Sequence, residues 1–313
     1  MGLLKLRVAM LGTLGLIIGA STLFLAVILS FMNHLNIFTL LIFVIGFNLL
    51  QWLIAPYIID SMYGVKEVSP SEAPRLHRIV ERLSIKSGIK KPKVMIAALP
   101  IPNAFAYGSP IAGTRVAVTR GLLQTLEEEE VEAVIGHELG HLKHRDVQIM
   151  MFASVLPALF YYLGYMMMWS GMLSRRRDSG SAVIIGMLSL LIYFVLNLLV
   201  LGLSRLREFY ADRHAAEVVE DGPRKLSEAL AKLYVYSRKV VSRMPETKSL
   251  QGFKALFIVD PDAPPESFEG LSDAELVRRI SSKQLTAADR LMEIFSTHPN
   301  VVKRIRALQS LKR

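Results

Sequence analysis

The residues with the clearest chemical potential in this sequence form the pentapeptide His137-Glu138-Leu139-Gly140-His141. On a helix, residues four apart share one face, so His137 and His141 can direct their imidazoles to a single metal ion. The chain contains no cysteine, which leaves histidines and carboxylates as the ligands. Bound zinc lowers the pKa of water from about 16 to about 7. Glu138, beside the histidines, can take a proton from a zinc-bound water, and the pattern predicts metal-assisted hydrolysis.

The same pentapeptide could arise by chance on a surface helix with exposed histidines. The surrounding residues favour a metal site, because the apolar positions of the predicted helix form a stripe on which both histidines lie. Two imidazoles without partners in a protein core would be costly. The apolar positions are Val131, Val134, Ile135, Leu139 and Leu142.

A catalytic zinc usually has three protein ligands and one open position, so a third ligand is expected downstream. Glu208 is the candidate, and Asp212 lies four residues further along the same predicted helical face. Asp212 would suit a hydrogen bond from the outer nitrogen of a liganding histidine. The alternative is a cluster of charges that anchors the end of a membrane span. His214 is a rival ligand, but it points away from the face that Glu208 and Asp212 share.

Three helices are predicted in the polar part of the chain before residue 146. Residues 71–84 have the periodicity of an amphipathic helix that Gly88 ends, and residues 121–126 and 128–144 also predict helices. The glutamates at 127–130 complement the positive end of the last of these helices, and we expect them to be solvated. The helix over 128–144 carries the pentapeptide.

Two β-strands are predicted, at residues 93–98 and 114–119, around a loop rich in proline and glycine. An extended peptide can add to the edge of a sheet through main-chain hydrogen bonds. We therefore expect the strand over 114–119 to accept substrate in this way.

Four apolar runs are long enough to cross a bilayer, whose core of about 30 Å needs roughly 20 apolar residues. The runs are residues 8–32, 37–59, 147–173 and 182–203. They predict a mainly α membrane protein with four transmembrane helices in two hairpins. The predicted order is a transmembrane hairpin (1–60), the first catalytic part with the zinc helix (61–146), a second hydrophobic hairpin (147–204) and a mostly helical second catalytic part (205–313).

Basic residues near the ends of the first two runs predict the orientation. Lys5 and Arg7 precede the first run, and Lys66 and Arg75 follow the second. Lys and Arg concentrate on the cytoplasmic side of membrane proteins, so the segment after residue 60 should face the cytoplasm. The net charge of +10 is explained in the same way by anionic lipid headgroups, and we expect no nucleic-acid partner.

The predicted metal ligands limit how many times residues 147–203 can cross the membrane. His137, His141 and Glu208 must meet at one ion, so the chain between them crosses the membrane twice or not at all. Two crossings, which we favour, leave the arginines at 175–177 outside, against the usual charge bias. No crossing would make this segment a hairpin that caps the site or lies at the interface.

The sequence resembles the HtpX-type membrane zinc metalloproteases, a family that also contains the Ste24 CAAX proteases and Oma1. The resemblance covers nearly the whole chain and rests on four motifs. They are residues 102–108 (PNAFAYG), the pentapeptide with Asp146, residues 204–212 (SRLREFYAD) and residues 296–299 (STHP).

This resemblance implies a zincin-like (gluzincin) α+β catalytic domain with one zinc ion per chain. It implies that Glu208 is the third ligand and that Asp212 orients a liganding histidine. It further implies that Asn103 helps to hold substrate or the oxyanion, and that His298 stabilises the transition state by hydrogen bonding. For these two residues the alternatives are a turn-forming asparagine after proline and a histidine that begins a helix.

The expected function is a membrane-embedded zinc endopeptidase that cleaves misfolded or damaged membrane proteins at the cytoplasmic face. Metal-assisted peptide hydrolysis follows from the residues, whereas the substrate class follows from the resemblance. The expected partners are therefore unfolded or membrane polypeptides and the lipid bilayer. The alternatives are a CAAX-type processing protease and an inactive membrane scaffold with a structural zinc, and the second of these leaves Glu138 without a purpose.

Overall fold

The computed structural model describes residues 37–173, 179–243 and 270–311 of the 313-residue chain. Helices dominate, and they pack with a four-stranded sheet. The helices are α1 (Ile37–Tyr63), α2 (Pro74–Ser87), α3 (Arg120–Thr125), α4 (Glu128–Lys143), α5 (Asp146–Leu173), α6 (Ser179–Val218), α7 (Gly222–Arg243), α8 (Asp273–Ser282), α9 (Ala287–Ile294) and α10 (Val301–Ser310). The strands are β1 (Val65–Glu67), β2 (Lys93–Ala97), β3 (Ala104–Ser109) and β4 (Gly113–Thr119). The expected helical chain with a small sheet is confirmed.

The sheet is mixed and has the strand order β1-β2-β4-β3. β2 and β4 run parallel, whereas β1 and β3 pair antiparallel at the two edges. The expectation that the strand over 114–119 accepts substrate at its edge is therefore wrong, because β4 is bonded on both sides. The sequence placed a loop where β3 forms, since its small residues and neighbouring prolines resemble a turn. The edge strand nearest the zinc helix is β3.

The two faces of the sheet pack against different partners. The face that carries Val94, Val116 and Val118 joins the main hydrophobic core, together with apolar side chains of α2, α4, α7, α8 and α10. The opposite face, which carries Phe105 and Tyr107, packs in a second cluster with the end of α1. This division follows from the alternation of side chains along a strand. It leaves small residues of β3 on the side of α4.

Two smaller sequence expectations were partly wrong. The first amphipathic helix begins at Pro74, later than predicted, and it ends at Gly88, whose φ of 64° is left-handed as expected. The glutamates before the zinc helix are not all solvated. Glu130 is buried, closes a capping box with Glu127 and lies 2.8 Å from Lys232 Nζ of α7. The buried carboxylate helps to attach α7 to α4.

The described residues divide into two compact units. One contains residues 53–147, 204–243 and 270–311, and the other contains residues 37–52, 148–173 and 179–203. The sheet, both cores and the zinc helix belong to the first unit. The divisions after residues 147 and 203 fall beside the predicted limits of the second hydrophobic hairpin. α6 is nevertheless one continuous helix, so the residues that follow the apolar run extend it without a break.

Two described helices are long and apolar enough to cross a membrane, over Asp146–Trp169 and Gly180–Val218. They correspond to the third and fourth predicted runs. The first predicted run, residues 8–32, lies outside the described residues. The second forms α1, which is not one of these two candidate spans. The structure thus supports two of the four expected spans.

Candidate metal centre

The zinc helix α4 holds its histidines in the interior of the first unit. The helix begins with a capping box and with acidic residues that stabilise the positive end of its dipole. His137 and Glu138 are buried, and the side chain of His141 is 17% exposed. One ligand atom from each of these three residues lies within 4.8 Å of the others. The helical spacing predicted from the sequence therefore brings the ligand atoms of these residues close together.

The carboxylate of Glu208 on α6 closes a donor triangle with the two histidine nitrogens, and a different carboxylate oxygen lies nearest each nitrogen. The Nε2 atoms of His137 and His141 are 3.2 Å apart. Glu208 Oε2 lies 3.6 Å from Nε2 of His137, and its Oε1 lies 3.4 Å from Nε2 of His141. Tetrahedral zinc with ligands at about 2.0–2.1 Å requires donor separations of about 3.3 Å. The residues present would therefore suit a zinc ion.

Both imidazoles have a carboxylate behind them. His137 Nδ1 lies 3.0 Å from Asp212 Oδ1, and His141 Nδ1 lies 2.7 Å from Asp146 Oδ2. A carboxylate at the outer nitrogen fixes the tautomer and leaves the Nε2 lone pair for a metal. The structure thus brings Asp212 to His137, and it adds Asp146 to the site in the same arrangement.

The carboxylates change the pKa values of the site. Burial lowers the pKa of His141, but hydrogen bonds with Asp146 and Glu208 outweigh burial and raise it well above its ordinary value. The pKa of His137 is raised in the same way, by Asp212 and Glu208 against burial. Burial alone would raise the pKa of Glu208, yet the charges of His298 and Arg304 hold it well below its ordinary value. Without metal, the site therefore favours protonated histidines beside ionised carboxylates.

Glu138 faces the edge strand. Its Oε2 accepts a hydrogen bond of 2.8 Å from the backbone N–H of Ala106, in the middle of β3. This N–H points away from β4, because alternate residues of an edge strand direct their backbone groups outward. The catalytic candidate and the free edge of the sheet therefore meet at Ala106.

Gly140 allows α4 and α6 to approach closely at the site. A Cβ at Gly140 would lie 3.0 Å from Ala211 Cα and 3.2 Å from His214 Cβ. Ala211 stands between Glu208 and Asp212 on α6. The missing side chain of Gly140 thus brings the backbone of α6 near enough for both carboxylates to reach the histidines.

Two arginines complete the site, and sequence reasoning missed both. Arg304 of α10 is 1% exposed and donates to Asp212 Oδ2 from Nε (2.8 Å) and to Asp212 Oδ1 from Nη2 (2.6 Å). Arg207 donates to Asp146 and to the carbonyl of His144. Arg207 lies within the 204–212 motif but was given no role there, and among 37 Lys and Arg in the chain nothing in the local sequence marks Arg304. Their positions depend on partners distant in sequence.

The remaining residues singled out from the sequence are His298, Asn103 and His214. His298 lies near the third ligand candidate, with Nδ1 3.1 Å from Glu208 Oε2. Asn103 is buried directly before β3, and its backbone exchanges hydrogen bonds with Thr119. His214 Nε2 lies 2.9 Å from Ser87 Oγ, which is outside the donor triangle.

Comparison with known proteins identifies the class. Residues 70–312 match the sequence profile of Peptidase family M48. The Protease HtpX homolog of Thermoplasma volcanium is 39% identical over 276 residues, which are 88% of this chain and 83% of that protein. The Protease HtpX homolog of Aeropyrum pernix is 40% identical over 279 residues, covering 88% and 86% of the two chains. The Protease HtpX homolog of Saccharolobus islandicus is 37% identical over 323 residues, covering 99% and 98%.

The crystal structure of S. mikatae Ste24p has the same fold, with a TM-score of 0.58 at 18% identity, over 97% of this chain and 67% of that one. The fold and the H-E-x-x-H helix define a metalloprotease with helices suited to a membrane. The chain belongs to peptidase family M48. The resemblance to the HtpX-type proteases is confirmed.

Proposed function

We propose that this chain is a zinc-dependent endopeptidase in which His137, His141 and Glu208 hold one zinc ion. The observation that carries the proposal is the donor triangle of 3.2, 3.4 and 3.6 Å, which matches the spacing of tetrahedral zinc ligands. Asp212 and Asp146 support it from behind the histidines, because they favour the tautomer that leaves Nε2 free for the metal. When bound, zinc polarises the scissile carbonyl and lowers the pKa of water.

Glu138 serves as the general base in this proposal. It accepts a proton from the attacking water and passes it to the leaving amine, so that its carboxylate is regenerated. The hydrogen bond from Ala106 N–H holds the carboxylate beside the edge of the sheet, where a substrate backbone would lie. General acid–base catalysis of this kind contributes about 10²–10⁴-fold to the rate.

The substrate binds as an extended strand along the free edge of β3. Main-chain hydrogen bonds then supply affinity for any sequence, which suits unfolded polypeptides. His298 is positioned within reach of the site through Glu208 and is assigned to the developing oxyanion. Asn103, which precedes the same strand, is assigned to holding the substrate or that oxyanion.

We assign the protein to the cell membrane as a multi-pass protein. The catalytic segments, 61–146 and 205–313, face the cytoplasm, and the hydrophobic segments are the hairpins over 1–60 and 147–204. The natural substrates are then misfolded or damaged membrane proteins. The apolar helices over 146–169 and 180–218, together with the membrane-type relatives, support the location. A cysteine at Ser179 would test the two-crossing path, because an impermeant thiol reagent should label it in intact cells.

The deciding experiment compares Glu138→Gln with the parent protein for zinc content and casein cleavage. We expect equal zinc and a loss of cleavage of about 10²–10⁴-fold, since the amide keeps the shape but cannot accept the proton. Glu128→Gln on the same helix is the matched control, because its carboxylate is exposed and pairs with Arg75 at 3.4 Å. Cleavage that survives in Glu138→Gln at equal zinc would refute the mechanism. A prenylated peptide, assayed in parallel, separates general proteolysis from CAAX processing.

A further inference from the structure

Arg304 is a buried cation that contacts two carboxylates of the candidate metal centre at once. Its Nε and Nη2 donate to the two oxygens of Asp212, at 2.8 and 2.6 Å. Its Nη1 lies 3.0 Å from Glu208 Oε2. The side chain is 1% exposed, so water cannot replace these contacts. One guanidinium thus links the candidate third ligand to the carboxylate behind His137.

The geometry exploits the shape of the arginine side chain. The guanidinium is planar and presents its donors in a rigid fork, so its hydrogen bonds to Asp212 and its ion pair with Glu208 fix the relative positions of the two carboxylates. Lysine would supply the charge from one point and could not hold both groups in this way. Burying ionised carboxylates is costly unless they are paired, and Arg304 provides the pairing for Glu208 and Asp212.

The other histidine has a simpler support. Asp146, behind His141, is held by Arg207, which also donates to the backbone carbonyl of His144. Each of the two histidines therefore contacts an aspartate, and that aspartate in turn contacts an arginine. Arg304 differs from Arg207 because it also reaches the candidate ligand Glu208. It comes from α10, near the C-terminus, so the site depends on the docking of that helix.

We propose that Arg304 is a positioning residue that sets the spacing of Glu208 and Asp212 before zinc binds. The inference rests on the zinc site proposed above and adds a further residue to it. The opposing interpretation is that Arg304 merely stabilises the packing of α10, whose buried neighbours include Val302, Ile305 and Leu308. The two interpretations differ in what they predict for zinc affinity.

The test uses the full-length, detergent-solubilised protein and the variants Arg304→Lys and Arg304→Met. Arg306→Met is the matched control on the same helix, because Arg306 donates to the backbone carbonyls of Ser281 and Lys283 and touches no site carboxylate. The zinc dissociation constant is measured by competition with a chelating dye. The visible absorption spectrum of the cobalt-substituted protein reports the coordination geometry independently of activity.

We expect Arg304→Met to weaken zinc binding by about 10–100-fold, the usual loss when an outer-shell partner is removed. Arg304→Lys should fall between Arg304→Met and the parent, with an altered cobalt spectrum, and Arg306→Met should match the parent in both measurements. Equal zinc affinity and spectra in all four proteins would overturn the inference. A parent protein that does not bind zinc would instead refute the proposed function.

A folding defect in Arg304→Met is also informative. If the variant is recovered poorly, its yield and unfolding temperature are measured again with saturating zinc, and Arg304→Lys is measured beside it. A positioning role predicts that the same zinc concentration stabilises both variants less than it stabilises the parent, because stabilisation by a bound ligand falls as its dissociation constant rises. A zinc-dependent rise in unfolding temperature that equals the parent's in both variants assigns Arg304 to packing alone and contradicts the proposal.

Discussion

Replacing Gly140 by alanine should weaken zinc binding without unfolding the protein. The new Cβ would lie 3.0 Å from the backbone Cα of Ala211, whereas carbon atoms in contact prefer about 3.5–4.0 Å. Since a backbone atom cannot rotate away, α4 and α6 must separate by about half an ångström at this point. Ala211 moves together with its neighbours Glu208 and Asp212. Metal sites tolerate displacements of about 0.2 Å, so the donor triangle opens beyond what zinc accepts.

The expected magnitudes follow from opposing effects. Overpacking costs about 1–3 kcal/mol. Replacing glycine by alanine inside a helix stabilises by about 1 kcal/mol. The metal-free variant should therefore lose at most about 2 kcal/mol in free energy of unfolding. Its zinc affinity should fall by at least about tenfold, as when the support of a ligand is disturbed.

Gly136→Ala is the matched control for this prediction. The substitution is the same and lies one turn earlier on the same helix. Its Cβ would meet the Val219 side chain at 2.8 Å and the Ala215 backbone at an ordinary 3.5 Å. This clash is with the side chain directly after α6 and not with the α6 backbone, so zinc affinity should stay closer to that of the parent than in Gly140→Ala. Zinc competition and thermal unfolding of both variants supply the measurement. A Gly140→Ala protein that binds zinc as tightly as the parent would refute the close-approach argument.

Three further predictions concern protons, metal and an ion pair. Carboxylates raise the pKa of both His137 and His141 in the metal-free site, so zinc competes with protons for the two imidazoles. Calorimetry in two buffers at pH 7 should detect proton release on zinc binding, and zinc affinity should fall as the pH is lowered. An absence of proton release would contradict this. Chelation of zinc should lower the unfolding temperature. If free zinc had been 100 times the dissociation constant, the free energy of unfolding should fall by about 2.7 kcal/mol. An unchanged unfolding temperature would count against the site. Asp60→Asn should lower the free energy of unfolding by about 3–5 kcal/mol, because it leaves the buried Arg115 without its carboxylate. Lys93→Met removes the exposed pair with Glu67 and should change the free energy of unfolding by under about 1 kcal/mol. Equal losses of the two variants in thermal unfolding would contradict this distinction.

The sequence predicted the elements that depend on local periodicity. The spacing of His137 and His141 is set by the helical repeat within a single turn, and the structure has that helix. The apolar runs over 147–173 and 182–203 were predicted from length and composition, and helices form there. The strand β3 was missed, because its small residues have weak strand propensity and its pairing with β4 provides the order.

The sequence by itself therefore determined the helix that carries the H-E-x-x-H motif, the two apolar helices and the motifs shared with the family. It named Glu208 and Asp212 as candidates but could not bring them to the histidines. The tertiary structure decided that meeting, through the close approach at Gly140 and the contacts of Arg304. Arg304 and Asp212 are 92 positions apart in the chain. Helical and strand periodicity extends over a few residues, whereas a buried ion pair forms only where packing brings distant segments together.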